Sequence, residues 1–417
     1  MKPMSVKQKS TVIKLGLYAI MLLSALGCTI SGVNSNIFDN SNVVLHPCAI
    51  AVANLKTVSP NLPDGPVAVS TYEGDSNTGA VYIWKSCRAF LSSAPLTSGG
   101  RVQNTPTTMP DYQITGITDP EGMAYDTSGN LYIASTSPTP TSIYYVNMSA
   151  LANLATADPT TGIQTIPASS LQTIPIPVNP VMDPAHPSDA YGQPRGLAFD
   201  ADDKNLYVVM ENYYGSGGGS TVLQITTPLV PATRKIYGVG NTITTLNESL
   251  GLAYSSAHQC FFVTDLAQKI HQLTWPAGTG KKTTGVSLTE ATPYITLNGV
   301  YGFDVGVSVD LTSQDSVFFT TSNALATSGD QSNPNPACYL NSIAYNQWAN
   351  YANGTTTINT VTLDPPVPYP ASFGESGLLV AWGVGVFPYE SASSTSALHG
   401  IIVADAPKSK VVRFLEQ

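Results

Sequence analysis

The chain is poor in charge. Only 11% of its 417 residues are Asp, Glu, Lys or Arg, against about 25% in an average globular protein. The shortage falls on the basic side, with 18 Lys and Arg against 27 Asp and Glu and a formal net charge of −9. Clustered cations that could neutralise phosphates are absent, which argues against nucleic acid and anionic lipid headgroups as partners. Histidine is scarce too. His46, His186, His258, His271 and His399 are scattered, with no His-x-x-x-His or His-x-His spacing of a metal motif. His271 and His399 fall in β-rich runs and read as structural or surface residues. There is no Gly-x-Ser-x-Gly elbow, no phosphate-binding loop and no Cys-x-x-Cys pair.

A membrane-spanning run is also missing at the N-terminus. Lys2, Lys7, Lys9 and Lys14 precede an apolar stretch, Leu15 to Leu26, of 12 residues, short of the roughly 20 that a spanning helix needs. Basic start and short apolar run have the form of an export signal. Ser24-Ala25-Leu26-Gly27-Cys28 resembles a bacterial lipobox, with Ala25 standing where that family most often has leucine. The resemblance implies a signal peptide over 1–27, lipidation (palmitate) of Cys28, and a lipidated tether over 28–36. Thr29 stands where an aspartate commonly retains lipoproteins in the inner membrane, so the resemblance implies the outer membrane of the cell envelope, with the lipid anchor as the membrane contact.

Removing 27 residues leaves 390, with 14 basic and 27 acidic side chains. Cys48, Cys87, Cys260 and Cys338 remain, an even number that allows either two disulfides or buried thiols.

What the chain does have is repetition. A small residue, a hydrophobic, a small or short residue and another hydrophobic recur at Ala49, Gly122, Gly196, Gly251, Gly302 and Gly383, spaced 73, 74, 55, 51 and 81 residues apart. The compact spacings approach the roughly 40 to 50 residues of a propeller blade. Each opening phrase is followed by two runs rich in Val, Ile, Tyr and Phe, such as NLYIAST (130 to 136) and SIYYV (142 to 146). Fourth strands are expected at YQITGI (112 to 117), TIPIPV (173 to 178), IYGVGNTI (236 to 243) and TINTVTL (357 to 363). The expected fold is all-β, a six-bladed β-propeller of four-stranded antiparallel blades over 37–417. The chain ends after a third strand, so the segment Ile37 to Leu45 is expected to close the ring as the outer strand of the last blade.

DPEGMAYDTSGNLYIAST (119 to 136) and QPRGLAFDADDKNLYVV (193 to 209) resemble NHL repeats, and SLGLAYSSAHQCFFVTD (249 to 265) follows the same outline. The resemblance implies a six-bladed propeller of the NHL, TolB-like, strictosidine synthase and regucalcin type, an architecture that hosts enzymes and passive scaffolds alike.

The residues just before each opening phrase, Cys48, Glu121, Arg195, Leu250, Tyr301 and Trp382, are expected to ring the channel mouth. With Tyr213 and Tyr214, the set Glu121, Arg195, Tyr301 and Trp382 forms the candidate ligand site, since aromatics beside an Arg stack on sugars and peptides. Any single one of 21 tyrosines is better read as packing between blades. Glu121 and Arg195 are expected to pair, contributing about 0 to 1 kcal/mol if exposed. In regucalcin-like relatives a Glu-Gly motif holds a divalent metal, and Glu121-Gly122 matches it; Glu248 and Asp304, with Asn247, are the remaining candidate ligands for Ca²⁺ or Mg²⁺. Arg195, Leu250 and Tyr301 stand where oxygen ligands are wanted.

Two function classes remain. The first is a lipid-anchored scaffold binding a protein, peptide or glycan on its upper face, widened by insertions at Val178 to Pro194, Asn323 to Cys338 and Asp364 to Ala381. The second is a lactonase-like hydrolase or lyase with a metal near Glu121.

Overall fold

The computed structural model describes residues 47–53, 65–71, 79–86, 101–102, 110–135, 141–159, 162–177, 192–200, 204–214, 219–277, 284–290, 294–297, 301–307, 316–322, 339–345, 348, 381–390, 397–405 and 410–415. Blade one is built from β1 (Pro47–Val52), β2 (Val67–Thr71) and β3 (Gly79–Trp84) and, after β4 (Arg101–Val102), from β5 (Tyr112–Ile117). Blade two has β6 (Pro120–Tyr125), β7 (Asn130–Ser135) and β8 (Ser142–Asn147); then come β9 (Thr156–Ala157), β10 (Gln164–Pro167) and its own outer strand β11 (Gln172–Pro175). Blade three comprises β12 (Gln193–Asp200), β13 (Asn205–Tyr214), β14 (Gly219–Thr226) and β15 (Lys235–Gly238). Blade four has β16 (Ser249–Ser255), β17 (Cys260–Asp265) and β18 (Lys269–Thr274), edged by β19 (Thr289–Glu290) and β20 (Ile295–Thr296). Blade five shows β21 (Tyr301–Val307), β22 (Ser316–Ser322) and β23 (Tyr339–Ala344); blade six shows β24 (Ala381–Glu390), β25 (Ala397–Asp405) and β26 (Lys410–Leu415).

The six inner strands touch in cyclic order, β1 to β6, β12, β16, β21, β24 and back to β1. This closed ring of antiparallel blades is a β-propeller. Burial explains why its strands read as they do. Middle strands such as β7 and β17 are buried at every residue, because both faces are covered by neighbouring blades, so their sequences are continuous apolar runs. The outer strand β11 buries only Ile174 and exposes its other residues. Cores form between blades: Ile83, Ile114, Leu131 and Ile133 between the first two, and Tyr207, Phe261, Val263 and Trp275 between the third and fourth.

The opening phrases have a physical cause. In every described blade the inner strand carries a register shift against the second strand, at Pro47/Ile50, Pro120/Met123, Pro194/Leu197, Ser249/Gly251, Gly302/Asp304 and Ala381/Val384. The small residue at this bulge lies against the backbone of the next inner strand. A side chain at Gly122 would meet the Arg195 carbonyl, and one at Gly196 the backbone of Leu250 to Leu252. The same register revises blade five. Asp304 pairs with Thr320 as Gly251 pairs with Thr264, so Phe303, and not Tyr301, holds the bulge position.

Hairpins between first and second strands form where the Asp-x-x-Gly-Asn pattern places them. Asp126 accepts from Ser128 N and Asn130 N, both at 2.8 Å, from Asn130 Nδ2 at 2.5 Å and from Tyr132 Oη at 3.2 Å. The residue leading into the second strand is left-handed in three successive blades, at Gly129, Lys204 and Gln259.

The fourth strand β5 coincides with its expected segment, and β11 and β15 each begin one residue before theirs; 357–363 fall outside the described residues. The closing strand differs from expectation. At Arg413 and Phe414 the outer edge of blade six is taken by β4, from the excursion between the third and fourth strands of blade one. Ile37 to Leu45 lie outside the described residues, as do Cys28 and the first 46 residues altogether. A two-residue strand carries no periodicity, so β4 leaves no mark in the sequence. Blade one is itself extended by β10, which pairs in parallel with β5 and antiparallel with β9. Cys48 and Cys260 are buried thiols; Cys87 and Cys338 lie outside the described residues.

Candidate functional site at the channel mouth

The bulges place Cys48, Glu121, Arg195 and Leu250 around one end of a central channel of about 280 Å³, together with Glu211 and Leu266. Arg195 sits on β12, Glu121 on β6 of the preceding blade, and Glu211 on β13, where it pairs in register with Gln193. All three nitrogens of the Arg195 guanidinium are engaged. Its Nε donates to Glu211 Oε2 at 2.6 Å, Nη2 reaches the same oxygen at 2.6 Å and donates to Gln193 Oε1 at 2.9 Å, and Nη1 pairs with Glu121 Oε1. The expected pairing of Glu121 with Arg195 therefore forms, but as part of a cluster with two carboxylates to one cation.

This cluster is largely out of water. The side chains of Glu211, Arg195 and Glu121 are 9%, 15% and 25% exposed, so the energetics are those of a buried pair. Burial pushes the Glu121 carboxyl up from its ordinary value; Arg195 opposes this, and Glu211 and Asp119 add to it. Burial opposes the charge on Arg195, yet Glu121 and Glu211 outweigh it and hold the guanidinium above its ordinary range. Asp119 and Glu248, each two residues before a mouth residue, adopt left-handed backbone with φ of 43° and 49°.

Other expected site residues are placed by backbone alone. Tyr213 and Tyr214 end β13, Tyr301 begins β21, Trp382 stands at the β24 bulge and Asp304 one position beyond the β21 bulge; their side chains fall outside the described residues. Among described tyrosines the packing reading holds: Tyr132 and Tyr207 are fully buried between blades, with Tyr207 Oη accepting from Gln224 Nε2 at 2.9 Å. Glu211 and Gln193 were not singled out from the sequence. The available signal was a charged residue closing the otherwise apolar run NLYVVME.

The mouth does not fit a hard divalent cation. The Glu121 oxygen that would ligate one is paired with Arg195, and a guanidinium occupies the centre of the donor set. Among the described residues no group of three or more His, Cys, Asp or Glu could hold a metal ion.

The class defined by these features is a β-propeller, with six blades among the described residues and a charged cluster at the mouth of its channel. No family model and no characterised protein matches the sequence, so the NHL likeness rests on the phrases of blades two to four. Among solved structures the chain is similar to one in a nidogen/laminin complex, at 10% identity and a TM-score of 0.33 over 81% of this chain and 90% of that one. It is also similar to the Cps50 (Swd1) β-propeller domain of Myceliophteria thermophila, at 11% identity and a TM-score of 0.43 over 91% and 98%.

Proposed function

We propose that the protein is a lipid-anchored propeller of the cell envelope, held at the outer membrane through Cys28, that binds a protein, peptide or glycan at the Glu121 end of its channel. The observation carrying this reading is the buried cluster of Glu121, Arg195 and Glu211 at an open mouth. With every nitrogen of its guanidinium already paired, the cluster presents two carboxylates to one cation and favours a ligand bearing a cationic or hydrogen-bond-donating group. Connectivity supports the same face. The insertions ending before Gln193 and Ala381, and the one between Ser322 and Tyr339, all adjoin strand ends at this mouth, where loops can widen a contact surface.

Crosslinking of the full-length protein to envelope extracts, compared with Glu121→Gln and Glu211→Gln variants, tests the site. A captured partner whose recovery falls with both substitutions supports the reading; equal recovery by both variants removes the mouth as the binding face. Palmitate labelling of wild type and Cys28→Ser tests the anchor separately, and absence of label in the wild type overturns it.

A further inference from the structure

A second ionisable cluster lies in blade four, away from the channel mouth. His271 on β18 is fully buried, and both of its ring nitrogens meet carboxylates: Nε2 lies 2.9 Å from Asp265 Oδ2 and Nδ1 lies 2.7 Å from Glu290 Oε1. Only an imidazolium has a proton for each. The carboxylates are held differently. Asp265, fully buried at the end of β17, also accepts from Lys269 N at 2.9 Å. Glu290 stands on the two-residue edge strand β19, with its side chain 19% exposed. Tyr294, ahead of β20, has its ring 5.6 Å from the imidazole, and Lys269 Nζ lies 4.2 Å from the Tyr294 ring. Glu248, whose carbonyl accepts from Leu266 N, lies on the chain beside Asp265, and β21, which carries Asp304, packs against β17.

We propose that His271 is a proton-operated latch: its imidazolium holds Glu290, and with it β19, against blade four, and loss of the proton to water releases that edge. A neutral imidazole has one N–H. It can serve one carboxylate, and the other then faces a nitrogen lone pair across less than the length of an ordinary contact. Glu290 is the partner that yields, because its strand is only two residues long and its side chain partly exposed, whereas Asp265 is fully buried and takes its second bond from the backbone of its own hairpin. The release reaches further than one side chain. Thr245 Oγ1, in the connection from blade three, donates to Glu290 Oε2 at 3.0 Å, and Leu288 N donates to Val239 O at 2.7 Å. The edge strand and the seam between blades three and four are thus tied through the same few residues. Burial alone would lower the basicity of His271; its hydrogen bonds to Asp265 and Glu290 outweigh that and raise it above the ordinary range, which places the release on the alkaline side of an ordinary histidine titration.

Amide exchange of the full-length protein, normalised to intrinsic rates and followed across pH beside the NMR titration of the His271 imidazole, is the test. Protection of β19 and of Leu273 and Thr274, which face it, should fall by about tenfold or more in step with that titration. In Glu290→Gln the side-chain amide can accept from or donate to the ring in either state, so the step should vanish. A purely structural histidine gives protection without a step. The latch is overturned if wild type shows no step, if Glu290→Gln keeps it, or if His271 titrates at or below an ordinary histidine.

Discussion

Gly383 of blade six lies against the backbone of Cys48 in blade one, so closely that a methyl group on it would stand 2.6 Å from the Cys48 carbonyl oxygen. Two ends of the ring meet at that contact. Gly122 and Arg195, and Gly196 and Leu250, repeat it one blade at a time. The ring therefore closes through inner-strand backbones as well as through the outer pairing of β4 with β26.

Gly383→Ala should consequently destabilise the whole ring. Neither neighbour is a flexible side chain that can swing away, so backbone has to shift, at a cost of about 1 to 3 kcal/mol. Thermal or denaturant unfolding measures it, provided unfolding is reversible. A variant within about 0.5 kcal/mol of wild type means that the two blades can separate there without loss.

Why some of this was legible in the sequence follows from the same contact. A small residue at a fixed place in each inner strand is a requirement of close backbone approach, and it survives in the sequence as the repeated phrase. Blade five misleads because GFDVG mimics the phrase two residues early, and only the pairing of Asp304 with Thr320 reveals the offset. The Arg195 cluster was half legible. Glu121 and Arg195 occupy equivalent positions on successive blades, whereas Glu211 joins them through cross-strand register with Gln193, which no local pattern displays. His271 likewise finds Asp265 and Glu290 on two different strands.

Removing Asp126 should unfasten the first hairpin of blade two. Its carboxylate receives four donors, and Asp126→Ala leaves the buried Tyr132 hydroxyl and Asn130 amide without that acceptor. Each buried donor left dry costs about 1 to 3 kcal/mol. Asp126→Asn keeps an acceptor oxygen and should lose less. If urea unfolding finds the Ala and Asn variants equally stable as wild type, the carboxylate is not what holds the turn.

Arg195→Ala should destabilise the fold by about 3 to 5 kcal/mol, because Glu121 and Glu211 are then left facing each other with little water. This exceeds the loss expected of a surface pair. Adding Glu211→Gln to Arg195→Ala should recover much of it, and the double-mutant cycle reports the coupling. Additive effects of the two substitutions would show that the guanidinium does not hold the carboxylates together.

Glu121→Gln should behave in the opposite way. The Glu121 carboxyl is raised, chiefly by burial and despite Arg195, so the folded protein binds its proton more tightly than the unfolded chain does. Stability contributed by that proton is fully present below the unfolded pKa and is lost as pH rises through the folded one. At neutral pH the ionised Glu121 is therefore a net burden, and Glu121→Gln should be as stable as wild type or more so. On acidification wild type should gain on the variant, within the window above the ordinary glutamate range. Parallel unfolding curves from neutral to mildly acidic pH decide it: a variant that is less stable at neutral pH and draws level as pH falls would assign Glu121 the role of a stabilising partner of Arg195 and reverse the sign of the burial argument.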